Sequence, residues 1–444
     1  MILALVVALS LSFSGPLWSC QEFITNLRRV IVVDPYSSGS LYAAAAKDLG
    51  YEIIALHSKN EVPPVFRSSY QAQDFEGSRE IFNQAQSWDE LLPQIKELAP
   101  DFIVPGTDTG VVMADYLSER LNLSRRNDFE LSEARKDKFL SNMVLKSHEG
   151  IRSAKQMRSI EWSDVLDWKK NIHPEWPVVV KPTHGAGSEN VAAVDNIQAL
   201  EEAFWAIRNK PFNSLLLPNR EVVVQEFLEG TEYIVEFISS AGKHHLAYIM
   251  EYENLRLANG SFVKQNTRLL SQFAPEREAL EAYGKKVLDA LGFRYGPAHL
   301  EIKVANWANP DPVLVEPNPR MAGALLPALI KEVTGLDEAR LSLLSYADPQ
   351  RFLEEIQKPW IKNKLAFQVS LVSKKGGRIL SAEDMAFVRS LKSYRDSSWH
   401  FKVGQEVEIT KNLINVLADV DLFHEDIAVL NSDYAALLEF QSKF

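Results

Sequence analysis

Carboxylate and amide side chains occur at alternate positions in two short segments of the chain. Glu316 and Asn318 flank a proline, and His299 and Glu301 lie in a strand-like run shortly before them. Residues two apart in a strand share a face, so neighbouring strands would bring Glu301 and Glu316 together. Two carboxylates about 4 Å apart repel by about 4 kcal/mol at an effective dielectric of about 20, so they require a cation or a shared proton. Such hard oxygen ligands favour Mg²⁺ carrying a nucleotide, and the alternative interpretation is two unrelated surface carboxylates.

A lysine followed by a glycine-rich turn is the second feature with a chemical meaning. Lys181 ends a strand-like run, and Gly185, Gly187 and Ser188 follow before extended structure resumes. Glycines let backbone amides approach an anion, and the lysine adds a positive charge to the same place. A Walker loop differs, because its lysine follows the glycines. The segment predicts a phosphate-binding loop, and a plain hairpin with an exposed lysine is the alternative.

A polar break between two further strands suits a nucleoside. The backbone of Glu226, Phe227 and Leu228 interrupts the strands and could pair with the polar edge of adenine. Glu232 follows four residues after Leu228, and an ionised carboxylate accepts hydrogen bonds from both hydroxyls of a ribose. An acidic β-turn is the alternative interpretation.

Strand and helix alternate in the first part of the chain that must support these groups. Apolar strand-like runs at residues 29–34, 51–56 and 101–104 are separated by helix-forming stretches. This alternation predicts a parallel sheet. The loop after the first strand has serines at 37, 38 and 40 where dinucleotide binding would need Gly-x-Gly-x-x-Gly, so a dehydrogenase is not favoured.

The later segments change character, and they indicate an α/β fold of the α+β multidomain kind. We expect an N-terminal parallel α/β domain at residues 28–126 and a central, strand-rich domain at residues 127–346. Residues 178–236 would form the glycine-rich lid and the hinge of the central domain. Residues 347–444 would form a small C-terminal α/β domain, for which the sequence shows no chemistry.

Composition limits the classes of partner. The chain has 444 residues with 59 acidic and 48 basic side chains, and its net charge of -11 disfavours nonspecific binding to nucleic acid or an anionic membrane. Cys20 is the only cysteine, so neither an internal disulfide nor a cysteine zinc site can form.

The order of the segments resembles the ATP-grasp superfamily over roughly residues 127–346, and within it the carboxylate-amine ligases that join L-amino acids. That family has a lysine at the entry to the central domain, a second lysine before a glycine-rich loop, an acidic hinge and two metal-binding acidic strands. The matching positions are Lys138 and Lys181 for the lysines, residues 226–228 and Glu232 for the hinge and ribose, and Glu301, Glu316 and Asn318 for the metal.

The resemblance implies an ATP-dependent ligase that uses Mg²⁺ or Mn²⁺. A substrate carboxylate would take the γ-phosphoryl group to give an acyl phosphate and ADP, and an amine would then displace phosphate to leave an amide. The partners would be a small carboxylate and a small amine, from amino acids, and the chain would not bind nucleic acid. A homodimer is compatible with the family.

Further roles follow from the same resemblance. Arg320 has the planar fork that suits an acyl phosphate, and an amide at Gly323 could donate to an oxyanion. Arg268 occupies the position where related ligases keep a basic residue near the γ-phosphate. Ala322 and Ala324 have small side chains, which predicts room for a medium or large first substrate.

Two other functions share this fold. A biotin-dependent or purine-type carboxylase would use bicarbonate as its acid, although the chain contains no biotin-carrier sequence. A non-catalytic nucleotide-binding protein would lack turnover although the required charged positions are present. D-alanine-type ligases match less well, because the sequence Pro-Asn-Pro-Arg at residues 317–320 is more similar to the carboxylases and the L-amino-acid ligases.

Residues 1–27 form a hydrophobic extension whose first twenty residues contain no charged side chain. They resemble the apolar part of a signal peptide but lack its basic residues. A misassigned start is the favoured interpretation because the chemistry consumes ATP, which predicts a cytoplasmic protein. A membrane tether stays open as the alternative.

Overall fold

The structure is a computed structural model that describes residues 28–67, 69–70, 72–75, 77–185, 187–257, 260–362 and 364–444. The predicted hydrophobic extension at residues 1–27 lies outside these ranges.

A four-stranded parallel sheet opens the described chain. Its strands run in the order β3-β2-β1-β4, with every pair parallel, as the alternation of strand and helix predicts. The strands read as nearly continuous apolar runs because helices cover both faces of a parallel sheet. The elements are β1 (Arg29–Val33), α1 (Tyr42–Asp48), β2 (Glu52–His57), β3 (Arg79–Phe82), α2 (Leu92–Glu97), β4 (Phe102–Pro105) and α3 (Val111–Arg120).

A second four-stranded sheet forms a separate layer, which we call the lid sheet. Its strand order is β5-β8-β6-β7, with antiparallel pairs. Trp168 and Phe204, from two helices, pack with the valines of its strands. The elements are α4 (Lys138–Lys146), β5 (Gln156–Ser159), α5 (Trp162–Asn171), β6 (Val178–Pro182), β7 (Ala192–Val194), α6 (Ile197–Arg208) and β8 (Val222–Glu226).

An eight-stranded sheet forms the centre of the molecule, and we call it the large sheet. Its order is β13-β12-β9-β10-β11-β14-β16-β15. Its first strands and helices are β9 (Thr231–Ser240), β10 (Lys243–Arg256), β11 (Phe262–Leu269), α7 (Arg277–Ala290), β12 (Gly296–Val304), β13 (Val313–Asn318), α8 (Leu326–Thr334), α9 (Glu338–Ala347) and α10 (Pro349–Ile356). The remaining elements are β14 (Leu365–Leu371), α11 (Ala382–Arg389), β15 (Tyr394–Trp399), β16 (Ala418–His424) and α12 (Ile427–Gln441).

The C-terminal segment extends the large sheet instead of building a sheet of its own. β14 pairs antiparallel with β11, with Val369 opposite Asn266, and β16 and β15 follow. A domain boundary at residue 347 stays a prediction, but the hydrogen bonds of the sheet continue across it.

Alternation along β9 separates the two faces of the large sheet. Val235 and Phe237 pack toward α7, whereas Ile234 lies in the cluster on the opposite side, formed with α8, α9 and α10. Gly284 of α7 permits this packing, since a Cβ there would lie 2.5 Å from the Phe237 ring. The polar side chains described below lie on the face away from α7. No helix in the described part of the chain is long and apolar enough to cross a membrane.

Candidate active site

A cavity of about 410 Å³ lies where the three sheets meet. The loops at the carboxyl ends of β1 and β4 close one end, the lid sheet covers the top, and the polar face of the large sheet forms the floor. The predicted site residues that line it are Lys138, Lys181, Gly185, Gly187, Ser188, Glu226, Phe227, Leu228, Glu232, Glu301, Glu316, Asn318, Arg320 and Gly323. Arg268 is the predicted site residue that does not.

The two predicted carboxylates face each other across neighbouring strands. In the antiparallel pair of β12 and β13, Glu301 is opposite Glu316 and His299 is opposite Asn318. Lys138 Nζ donates to Glu316 Oε1 at 2.9 Å, and Lys264 Nζ donates to Glu301 Oε1. Each carboxylate therefore forms an ion pair with a lysine, and these ion pairs offset the repulsion expected between the two carboxylates.

Lys264 is a residue of the candidate site that its sequence context did not single out. It lies on β11, three strands from β12 in the sheet order, and it also lies over the ring of Tyr252. Although burial opposes ionisation, Lys264 and then His299 hold the pKa of Glu301 well below its usual range. In the sequence, Lys264 is marked only by being a lysine within a strand-like, otherwise buried segment.

The donor set fits a divalent cation shared with a ligand. The side-chain nitrogen of Asn318 donates to Glu316 Oε1 at 3.2 Å and to Asp108 Oδ1 at 3.0 Å when the amide is placed in the orientation that satisfies both of its ends. Among the described residues, no three His, Cys, Asp or Glu side chains form a metal cluster. Two carboxylates and an amide suit Mg²⁺, which keeps water and phosphate as its other ligands.

Two lysines from different elements line the cavity near the glycine-rich loop. Asp137 caps α4 by accepting from the amides of the next turn, and this cap makes Lys138 the first residue of the helix. Lys138 Nζ also donates to Gly185 O at 3.3 Å. Lys181 is buried near the end of β6, and its pKa falls to about 8 because of burial and the charge of Lys138. A buried lysine beside a second cation suits an anion.

The glycine-rich loop is held from the C-terminal segment. Leu413 N donates to Gly187 O at 3.3 Å, and a Cβ at Gly187 would lie 3.3 Å from Ile414 Cγ1. Gly187 and Ser188 have φ values of 63° and 57°, which is unusual for serine. Left-handed backbone at a non-glycine residue often marks a ligand-binding segment.

The predicted hinge is hydrogen-bonded to the residue that leads into β5. Glu226 N donates to Lys155 O at 2.9 Å, and Glu226 Oε1 accepts from Lys155 N at 2.7 Å, so this residue ties the hinge to the start of β5. Leu228 O accepts from Lys303 Nζ at 2.9 Å. Glu232 accepts from Asn254 Nδ2 at 3.0 Å, and burial and then Glu301 raise the pKa of Glu232.

Arg320 is paired with an aspartate that the sequence did not single out. Its Nε lies 3.1 Å from both carboxylate oxygens of Asp108, Nη2 lies 3.1 Å from Asp108 Oδ2, and Nη1 donates to Met321 O at 3.0 Å. Burial opposes ionisation of Asp108, but Arg320 outweighs it and lowers the pKa of Asp108. Asp108 follows the carboxyl end of β4, and that position is where open α/β sheets bind ligands.

The loop after Arg320 meets the loop after β1. Ala324 N donates to Ser37 Oγ at 3.3 Å, and Ala324 and Leu325 both have φ near 55°. A Cβ at Gly323 would meet no atom within 4 Å, so the cavity is open beside it. The loop is thus strained at two residues while the glycine before them faces free space.

Arg268 points away from the cavity because of a β-bulge. β10 and β11 pair as Asn254 with Lys264 and then as Glu253 with Asn266, which leaves Gln265 as an extra residue. The extra residue changes the face of the residues that follow, so Thr267 lines the cavity. Arg268 instead pairs with Glu251, and its side chain is 40% exposed.

The chain is similar to several known proteins. Residues 174–328 match the ATP-grasp domain family. The chain is 27% identical to dapdiamide A synthase of Enterobacter agglomerans, over 96% of this chain and 98% of that protein. It is 23% identical to an L-arginine-specific L-amino acid ligase of Bacillus subtilis, over 60% of this chain and 63% of that protein. An L-amino acid ligase structure from Bacillus licheniformis superposes with a TM-score of 0.71 at 17% identity, covering 93% of this chain and 97% of that one.

The fold, the cavity and the domain match define a protein that contains an ATP-grasp domain. Within that class the chain is similar to amino-acid ligases, and it is an ATP-dependent enzyme of the kind that forms C-N bonds. The resemblance to the ATP-grasp superfamily and its amino-acid ligase branch is confirmed.

Proposed function

We propose that the protein joins a carboxylate of an amino acid or similar compound to an amine, through an acyl phosphate formed from ATP. One observation carries the proposal: the Glu301 and Glu316 pair, with its lysines, shares a cavity with the Arg320 and Asp108 pair. The first pair suits nucleotide phosphates, and the second suits a substrate that carries both signs of charge.

ATP would occupy the space between the lid sheet and the large sheet. Phe227 and Leu228 would contact the base, Glu232 the ribose, and Lys138 and Lys181 the phosphates. Glu301, Glu316 and Asn318 would hold Mg²⁺ or Mn²⁺, which when bound neutralises phosphate oxygens. All of these side chains line the cavity, which supports the assignment.

The acyl substrate would lie between Arg320 and the loops of the parallel sheet. An oxygen of its carboxylate attacks the γ-phosphorus as the bond to the β-phosphate oxygen breaks, which releases ADP. The neutral amine nitrogen then attacks the acyl carbon and the bond from that carbon to the phosphate oxygen breaks. The nitrogen loses a proton to the departing phosphate, which leaves the amide. Arg320 stabilises the charge of the acyl phosphate through the guanidinium protons that Asp108 and Met321 do not engage.

The free space beside Gly323 supports a medium or large acyl substrate. Replacing Gly323 by tryptophan would fill that space, so the ratio of kcat/KM for large over small acyl substrates should fall. An unchanged ratio would exclude this wall of the cavity from substrate selection.

ADP release, measured over pairs of amino acids with the product mass determined, tests the function directly. Hydroxylamine in place of the amine should trap the acyl group as a hydroxamate. ADP release that depends on bicarbonate and needs no amino acid would instead indicate a carboxylase. Absence of ADP release with every pair would contradict a ligase.

A further inference from the structure

Four buried side chains form a row that ends at the proposed metal site. Glu236 lies on β9, with His299 opposite it on β12 and Tyr248 opposite it on β10. Glu338, the first residue of α9, packs against them. None of the four is more than 4% exposed, so water does not solvate their charges.

Hydrogen bonds connect the row at both ends. Tyr248 Oη donates to Glu338 Oε2 at 2.7 Å, and His299 Nδ1 bonds to Glu236 Oε1. On its other side, His299 Nε2 lies 3.5 Å from Glu301 Oε1. The imidazole therefore stands between a buried carboxylate and the proposed metal ligand.

The two buried glutamates have one unsatisfied oxygen each. Among the described residues, Glu236 Oε2 and Glu338 Oε1 have no hydrogen-bond donor, yet the two carboxyl groups lie within hydrogen-bonding reach of each other. Two ionised carboxylates can only accept, so both oxygens would stay unpaired at a large energetic cost. One proton between them satisfies both.

The surroundings favour placing that proton on Glu338. Burial and then the charge of Glu236 raise the pKa of Glu338 well above its usual range, although Arg320 opposes this. Glu236 faces His299 on its other side, and Glu236 raises the pKa of His299 against the effect of burial. A shared proton between close carboxylates is the expected outcome when a cation does not separate them.

We propose that Glu338 is a neutral carboxylic acid that donates a hydrogen bond to Glu236, and that this pair positions His299 and through it Glu301. Glu338 and Glu236 are positioning residues, since neither contacts the cavity. The inference rests on the proposed function only through the role of Glu301 as a metal ligand, whereas the protonation of Glu338 does not depend on it.

Infrared spectroscopy tests the protonation without any turnover. The purified full chain should show the C=O band of a protonated carboxylic acid at a pH well above the pKa of Asp421, which burial raises to about 6. Glu338→Gln should remove the part of that band that comes from Glu338, whereas any part from Glu232, whose pKa burial also raises, should remain. Glu355→Gln is the matched control, because Arg340 helps to lower the pKa of Glu355 and its band should be absent already. A spectrum that Glu338→Gln leaves unchanged would overturn the proposal.

Metal affinity tests the positioning role. Binding of Mn²⁺ in the presence of ATP, measured by titration, should weaken about tenfold to a hundredfold in Glu338→Ala, which is the range for outer-shell metal partners. Glu338→Gln should restore it, because the amide can donate to Glu236 and accept from Tyr248. Glu236→Gln should not. Equal losses in both Glu338 variants would overturn the proposal, and the infrared result stands even if the Glu338→Ala variant does not fold.

Discussion

The two ends of the cavity handle charge in different ways. At the end formed by the large sheet and the lid, four lysines lie among several carboxylates. The lysines are Lys138, Lys181, Lys264 and Lys303, and the carboxylates are Glu189, Glu226, Glu232, Glu301, Glu316 and Asp419. At the end formed by the parallel sheet, Arg320 and Asp108 balance each other in one ion pair. The first end therefore offers several cations from separate elements to phosphates, whereas the second offers one arginine that is held in a single ion pair.

This difference separates catalysis from selection. A cluster of lysines from several elements can bind any nucleotide phosphate, whereas a paired arginine and aspartate can each exchange their partner for the opposite charge of a zwitterion. We therefore expect changes at the first end to reduce turnover with all substrates. Changes at the second end should alter the preference among acyl substrates.

Removal of Glu316 should have the largest effect. Glu316→Ala deletes one proposed metal ligand and the partner of Lys138, so kcat should fall about 10³-fold with every substrate pair. Steady-state ADP release measures this. Glu332→Ala, in an exposed pair with Arg395, is the control and should retain activity. A loss confined to one acyl substrate would contradict the division between the two ends.

Neutralising Asp108 should act on selection. Asp108→Asn leaves Arg320 buried without its counter-ion, so kcat/KM for a zwitterionic acyl substrate should fall about 10²-fold while the KM for ATP changes little. Kinetics with matched substrates that have or lack an α-amino group measure the effect. The exposed pair of Asp128 with Arg294 supplies the control Asp128→Asn. Equal losses with both substrates would show that Asp108 only supports Arg320.

A pH series should distinguish Lys181 from the other cations. Its pKa of about 8 lies below the ordinary lysine value, so the free enzyme loses this charge as pH rises through 8. Between pH 7 and pH 9 the protonated fraction falls about tenfold, and kcat/KM for ATP should fall likewise. Bound phosphate restores the proton, so kcat should change less. Lys181→Arg keeps its charge and should flatten the profile, and an unchanged profile would assign the titration to another group.

Local patterns predicted the parts of the fold and site that depend on neighbours in the sequence. The buried runs of β1, β2 and β4 gave the parallel sheet, and the alternation at Glu316 and Asn318 placed both side chains in the cavity. The partners of those residues could not be found this way. Asp108 pairs with a residue 212 positions away, so its role depends on how domains pack and not on any local period.

Glu338 shows the same limit in a buried environment. Glu338 lies in the first turn of a helix, where a negative charge is favourable, so its sequence context predicts an ionised side chain. Only the approach of β9 places Glu236 beside it and changes the favoured protonation state. Protonation is therefore a property of the packed structure here.

The smallest predicted effect concerns Arg268, and it tests the β-bulge itself. An unbroken strand would put Arg268 on the face of Lys264, but the extra residue Gln265 turns it toward Glu251. Arg268→Ala should therefore change kcat by less than about twofold, as for a surface ion pair. Deleting Gln265 should remove the bulge and reverse the faces of the following residues, so that turnover falls although Lys264 is unchanged. A large loss in Arg268→Ala would instead place its guanidinium at the γ-phosphate and would contradict the register of β11.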